Sequence, residues 1–261
     1  MAESYRVCIG GEWADGGAGT YEIVNPATEQ VVAHAPQASV EQSLAATQAA
    51  SEAFESWSRT TPEYRASLLE AAADLLDARL DEFIPIVQAE TGATMRVAKT
   101  LQVPQAGARF RRYARGALEP TIDPLPPAVM PNTPLAPGGL ISAVARRAPV
   151  GVVSCITSYN FPMTNMAGKI GPALAMGNTV VVKPAPQDPI GVIKLVELMH
   201  DAGFPPGVIN VVCGTDIPAS EALVSSPHVD MISFTGSTGV GRRIGEVAGG
   251  DMKRLLLELG G

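Results

Sequence analysis

The sequence predicts an α/β protein built on a doubly wound parallel sheet, with N-terminal helices and an extended arm. Three observations predict it. From Pro149 onward, short β-branched runs alternate with helical stretches, the pattern of successive βαβ units. The runs at 150–156, 179–182, 208–212 and 229–234 are continuously apolar, as in strands covered on both faces. The residues that follow these runs are mostly polar or basic, and in such sheets ligands bind beyond the carboxyl ends of the strands.

Taken in order, residues 5–35 form short alternating runs with turn signals at Gly10-Gly11, Asp15-Gly16-Gly17 and Asn25-Pro26-Ala27-Thr28. They predict a small antiparallel strand system. Residues 39–119 are Ala-rich with helical periodicity. Ser39 is placed to cap one helix, and Thr61-Pro62-Glu63 opens the next with proline in its first turn. Leu68, Leu69, Ala72, Leu75, Leu76 and Leu80 then make an apolar stripe, and Pro85 and Pro104 mark breaks or first turns. Residues 120–139 hold seven prolines and two glycines, which predicts an extended connector or arm, followed by a strand at 140–145. Helices are predicted at 163–176, 189–202, 218–224 and 240–248, and a last strand at 254–257. The expected division is 1–119, 120–147 and 148–261.

Composition excludes some classes. The 261 residues carry a formal net charge of -7, which argues against nucleic acid as the main partner. No apolar run approaches the ~18 residues of a membrane span. Met1-Ala2-Glu3-Ser4 has neither a basic nor an apolar leader segment, so no signal peptide is expected. Cys8, Cys155 and Cys213 are odd in number and widely spaced, which suits a reducing cytoplasm and gives no metal-ligand cluster.

The predicted strand ends are Thr157-Ser158-Tyr159-Asn160, Lys183-Pro184-Ala185-Pro186, Cys213-Gly214-Thr215, Thr235-Gly236-Ser237-Thr238 and Glu258. A parallel sheet would bring all five to one rim. Within Phe234-Thr235-Gly236-Ser237-Thr238-Gly239-Val240-Gly241 a glycine-rich turn opens a helix, whose unpaired N–H groups and positive dipole end form a natural phosphate seat. In 253–257 an apolar strand delivers one carboxylate, Glu258. A charge at the end of a buried strand points to chemistry.

These strand ends, in this order, resemble the aldehyde dehydrogenase superfamily. Ser158-Tyr159-Asn160-Phe161-Pro162 is similar to its Pro-Trp-Asn-Phe-Pro segment, and Lys183-Pro184-Ala185 to its Lys-Pro segment. Phe234-Thr235-Gly236-Ser237 matches its Phe-Thr-Gly-Ser motif, and Leu257-Glu258-Leu259-Gly260-Gly261 its Leu-Glu-Leu-Gly-Gly motif. The resemblance implies a Rossmann-like cofactor domain. It also implies that the sequence is the N-terminal half of a longer enzyme, with the nucleophilic cysteine in the part that follows. Each of the three cysteines here reads as a small buried hydrophobe.

The resemblance implies roles for individual residues. The Asn160 amide would help bind the oxyanion of a thiohemiacetal; its alternative is a helix cap. Glu258 would be the general base on the deacylating water, its pKa raised by burial; its alternative is a surface glutamate. The Lys183 ammonium would bind ribose hydroxyls, and Ser237 with its glycine neighbours would seat the pyrophosphate. Further cofactor contacts are implied for Ile156, Thr157, Ser158 and Tyr159 after the first strand of the alternating region. Others are implied for Ala185 and Pro186, for Gly214, for Phe234, Thr235, Gly236 and Val240, and for Leu259 and Gly260. Two positions depart from the family. Tyr159 stands where it has tryptophan. Pro186 stands where many NAD-preferring members have a glutamate that would repel a 2′-phosphate, so the cofactor is NAD or NADP.

The expected parent activity is oxidation of an aldehyde to a carboxylic acid with NAD(P)+, this chain being inactive alone for want of the nucleophile. The alternatives are an inactive dinucleotide-binding module or a purely interacting domain. Self-association through the arm, at an exposed sheet edge around residues 140–144, is also expected.

Overall fold

The structure, a computed structural model, describes residues 5–260. The expectations resting on Met1–Ser4 and on Gly261 lie outside the described residues.

Five parallel strands form the centre. They are β7 (Val152–Ile156), β8 (Thr179–Lys183), β9 (Ile209–Val211), β10 (Met231–Gly236) and β11 (Arg254–Leu259). They lie side by side in the order β11-β10-β7-β8-β9. The chain winds outward from β7 to β9 and then restarts on the other side of β7 with β10. The order therefore reverses between β7 and β10, and that boundary is where a doubly wound sheet opens a crevice. Beyond β9 the sheet continues through β1 (Val7–Ile9) and β2 (Glu12–Ala14), both antiparallel.

Helices cover both faces. On one lie α2 (Pro62–Ala78), α5 (Val103–Ala117), α6 (Pro162–Ala175) and α7 (Ile190–Asp201). On the other lie α1 (Val40–Trp57), α8 (Ile217–Ser225) and α9 (Thr238–Gly250). The two faces have separate cores, and consecutive strand residues alternate between them. Val180 and Val182 enter the first core while Val181 enters the second, as the two-residue period of a strand requires. The elements α3 (Leu80–Thr91), α4 (Met95–Val97) and a π-helical turn (Ala98–Gln102) connect α2 to α5.

Local signals account for the boundaries. Ser39 and Gln42 form a reciprocal capping box at the start of α1. Thr61 accepts from the Tyr64 N–H, with Pro62 in the first turn of α2. Pro104 lies in the first turn of α5, whereas Pro85 is tolerated inside α3.

Three sequence expectations need correction. The N-terminal strands do not form one separate system: β1 and β2 extend the main sheet, while β3 (Thr20–Val24) pairs with β4 (Val31–Pro36) apart from it. Within the segment expected as an extended connector or arm, the sequence reading misses a strand: β5 (Ile122–Met130) pairs with β6 (Gly139–Arg146), the strand expected at 140–145, in an exposed hairpin. Finally, β11 is not covered on both faces. It pairs only with β10 at the sheet edge and is largely exposed.

Candidate functional site

At the carboxyl ends of β7, β8 and β10, beside the β7/β10 boundary, lies a cavity of about 480 Å³. That volume lies within the range of small-molecule and cofactor sites. Its walls include Ile156, Thr157, Ser158 and Tyr159 after β7, and Lys183, Ala185 and Pro186 after β8. Phe234, Thr235, Gly236, Ser237 and Val240 come from β10 and the start of α9. The sheet topology therefore gathers twelve of the sequence-predicted cofactor residues in one place.

The remaining three predicted cofactor residues sit around this cavity and not in its wall. Gly214 offers its carbonyl to the Lys183 ammonium at 3.3 Å. The Gly260 carbonyl accepts from the Thr238 hydroxyl at 2.8 Å, and the Gly260 N–H donates to the Gly236 carbonyl at 3.3 Å, so the end of β11 is laced to the turn before α9. Leu259 packs over α9 at Gly241, where a Cβ would come within 2.5 Å of the leucine side chain.

The start of α9 has open donor capacity. Ser237 is the N-cap, its hydroxyl accepting from the Val240 N–H at 3.4 Å. Of the first-turn N–H groups, those of Thr238 and Gly239 are left without a hydrogen bond among the described residues, as is usual at a helix start. The Thr157 hydroxyl is buried in the cavity wall without a hydrogen-bond partner. An orphaned buried hydroxyl marks a place where a polar ligand atom would complete the structure.

Lys183 is 9% exposed, and burial holds its ammonium pKa below the ordinary lysine value. The loop that follows it is tied down from beneath. Glu90 on α3, itself buried, accepts from the N–H groups of Ile190 and Gly191 at 2.5 and 2.8 Å, supplying the cap that Pro189 cannot give α7. Burial pushes the Glu90 carboxyl up to about 8, with the two N–H bonds opposing the rise. Asp188 beside it is also buried, and burial followed by the charge of Glu90 pushes it up to about 9. Sequence patterning gives no sign of this anchor, because Glu90 lies a hundred residues from the loop it holds.

Asn160 and Glu258 stand on the same rim, outside the cavity wall. The Asn160 Oδ1 accepts from the Ser158 hydroxyl at 2.7 Å and from the Asn165 amide at 3.3 Å. Two donors on its oxygen turn the Nδ2 donors away from them. Asn160 is not the helix cap: Phe161 occupies that position and makes no side-chain cap bond. Glu258 is exposed, a correction to the buried carboxylate that the apolar run predicts; its Oε2 accepts from the Thr235 hydroxyl at 3.0 Å. Each residue is thus wired to a cavity-lining neighbour.

Residues missed by the sequence reading complete the wall. Ile217, Ser220, Glu221 and Val224 come from α8, and Arg243 and Ile244 from α9. The strand-end rule points only to loops and the first turn of a helix, so it passes over them. Lys169 on α6, also missed, lies outside this wall: it is 9% exposed and donates to the Ser233 hydroxyl at 3.1 Å, and burial lowers its pKa, with Cys155 and Glu258 opposing.

The three cysteines are all buried. Burial pushes Cys8 up to about 11 and both Cys155 and Cys213 up to about 12, so none carries thiolate near neutral pH. The small-hydrophobe reading of their packing agrees with this burial.

The model of the aldehyde dehydrogenase family matches residues 13–261. A 2-aminomuconic semialdehyde dehydrogenase of Danio rerio is 39% identical over 91% of this chain and 47% of its own length. A phenylacetaldehyde dehydrogenase of Pseudomonas fluorescens is 39% identical over 98% of this chain and 51% of its own. Among solved structures, a betaine aldehyde dehydrogenase of Staphylococcus aureus in complex with NAD+ superposes with a TM-score of 0.90 at 30% identity, covering 99% of this chain and 50% of that one. An aldehyde dehydrogenase of Pseudomonas syringae complexed with NAD+ and octanal gives 0.88 at 34% identity, with 98% and 50% covered. The chain spans about half the length of the relatives it matches.

Proposed function

Because this chain belongs to the aldehyde dehydrogenase family, we propose that it forms the cofactor-binding half of an enzyme that oxidises an aldehyde to a carboxylic acid with NAD+ or NADP+. The observation that carries this reading is the cavity at the β7/β10 boundary, with an orphaned buried hydroxyl and an open helix start in one wall. The donors fit a dinucleotide: Lys183 for ribose hydroxyls, and the first turn of α9 with Ser237 for the pyrophosphate. Ile217 and Val240, both more than half exposed on the first turns of α8 and α9, offer apolar surface for a flat ring. When bound, the nicotinamide accepts a hydride.

The protein side of the chemistry falls to two residues on the rim. Asn160, its oxygen held by Ser158 and Asn165, presents amide donors to a developing oxyanion. Glu258, held by Thr235, takes a proton from an attacking water. No thiol among the described residues is accessible to a substrate. The purified 261-residue chain is therefore expected to bind NAD+ or NADP+ in calorimetric titration, and to form no reduced cofactor on adding octanal or phenylacetaldehyde. Turnover by this chain alone would overturn the assignment of the nucleophile to another part of the enzyme. Failure to bind either cofactor at millimolar concentration would overturn the cavity's role.

By this reading, residues 148–261 are the cofactor core, 1–119 its N-terminal elaboration and 120–147 an oligomerisation arm. The β5–β6 hairpin projects Val129, Leu140 and Val144, which are 81%, 69% and 64% exposed. An apolar hairpin with open edges favours pairing with another copy. Sedimentation equilibrium should show self-association that weakens when Val129 and Leu140 are both replaced by lysine. A clean monomer for the unaltered chain at high concentration would sink the arm's role.

A further inference from the structure

The cavity wall holds three charged side chains: Lys183, Glu221 and Arg243. The proposed function uses Lys183 and leaves the other two without a task. Arg243 lies one turn beyond Val240 on α9, and Glu221 one turn beyond Ile217 on α8, so an ion pair stands behind the two exposed apolar side chains. The Arg243 Nε donates to Glu221 Oε1 at 2.8 Å, while Nη1 is 3.9 Å from Glu246. The contact to Glu221 uses Nε and leaves the Nη1/Nη2 edge of the guanidinium without a hydrogen bond among the described residues. That edge is the fork that binds phosphate in a bidentate manner. The pair is 57% and 44% exposed, and exposed pairs contribute little to stability, so a ligand can recruit the arginine at small cost to the fold.

The loop after Lys183 places no carboxylate in the cavity wall. Pro186 lines the cavity, and the buried Asp188 that follows lies outside its wall. The net formal charge of the wall is therefore +1, from Lys183 and Arg243 against Glu221.

We propose that Arg243 is a specificity-determining residue of this site, its guanidinium receiving the 2′-phosphate of an NADP-type dinucleotide. Glu221 holds the side chain at the wall in the absence of that phosphate. The inference rests on the cavity being the dinucleotide site proposed above. It adds a direction to the choice of cofactor, since a phosphate monoester meets a cation at Arg243 and no carboxylate at Pro186.

The test is titration of the whole chain with NAD+, NADP+, 5′-AMP and 2′,5′-ADP, the last two isolating the contribution of the 2′-phosphate. NADP+ and 2′,5′-ADP are expected to bind more tightly than NAD+ and 5′-AMP. Arg243→Ala should weaken NADP+ and 2′,5′-ADP by about tenfold or more, the size of a lost charge-assisted hydrogen bond, and leave NAD+ within about twofold. Glu221→Gln should tighten NADP+ and leave NAD+ unchanged. Equal losses for both cofactors on Arg243→Ala, or no loss, would overturn the proposal while NAD+ binding still upheld the site. Binding of none of the four ligands would overturn both readings together. Arg243 is exposed on a helix, so its alanine variant is expected to fold, and a circular dichroism melt matching the parent confirms it.

Discussion

Replacing Trp57 by alanine is expected to destabilise the protein by roughly 3–5 kcal/mol, the range for truncating a large buried aromatic. Trp57 ends α1, is 1% exposed and packs at 5.8 Å against the Phe204 ring. Its indole N–H donates to the Asn178 carbonyl at 3.0 Å. Asn178 lies in the connection between α6 and β8, and its side-chain oxygen takes the N–H groups of Val150 and Gly151 at 2.6 and 3.1 Å, just before β7. One side chain thus braces the entries to both central strands. Trp57→Phe separates packing from hydrogen bonding: it retains most of the apolar area and should cost about 1–3 kcal/mol, mainly from the unpaired carbonyl. Urea unfolding of the three proteins measures this. A Trp57→Ala loss below about 1 kcal/mol would show that the α1–sheet junction is not part of the cooperative core.

The site was legible in the sequence where it depends on the direction of the chain, and illegible where it depends on neighbours. Apolar runs ending in Thr157, Lys183 and Thr235 fix where a parallel strand delivers its last residues, and the sheet then needs only its strand order to bring them together. The helix walls were missed for a physical reason. Glu221 and Arg243 lie in ordinary helical sequence, and only the packing of α8 against α9 turns them to one cavity. The reading of β11 failed in the opposite way. Leu255, Leu256 and Leu257 have the composition of a covered strand, but composition reports what a side chain would prefer and not what lies over it; Leu256 is 58% exposed. The same limit applies to Glu258, whose expected burial followed from that of its strand. The anchor at Glu90 was invisible because a long-range cap leaves no local pattern in the sequence.

Lys183→Met is expected to weaken dinucleotide binding by about 10- to 100-fold, since hydrogen bonds to a charged group contribute about 1.5–3 kcal/mol. Folding should survive the change. Lys183 is 9% exposed and its nearest hydrogen-bond acceptor is the Gly214 carbonyl at 3.3 Å, so the ammonium is held at a desolvation cost that methionine removes. That same cost predicts a pH dependence. Burial lowers the Lys183 pKa from the ordinary 10.5, with the neighbouring Cys213 opposing the shift. A lowered pKa means that the proton is lost earlier as pH rises, so affinity present at neutral pH should fall at a lower pH than it would for an exposed lysine. Cys213 itself is pushed up to about 12 and stays protonated through that interval, so it does not supply the transition. Titrations of NAD+ between pH ~7 and ~9.5 should show affinity that declines more steeply for the parent chain than for the weaker Lys183→Met. Glu90 and Asp188, pushed up to about 8 and about 9, ionise in that interval in both proteins, so the difference between the two profiles is the Lys183 contribution. If the methionine variant binds as tightly as the parent, the ammonium does not contact the ligand. If it binds weakly but keeps the parent's pH profile, the titrating group lies elsewhere in the site.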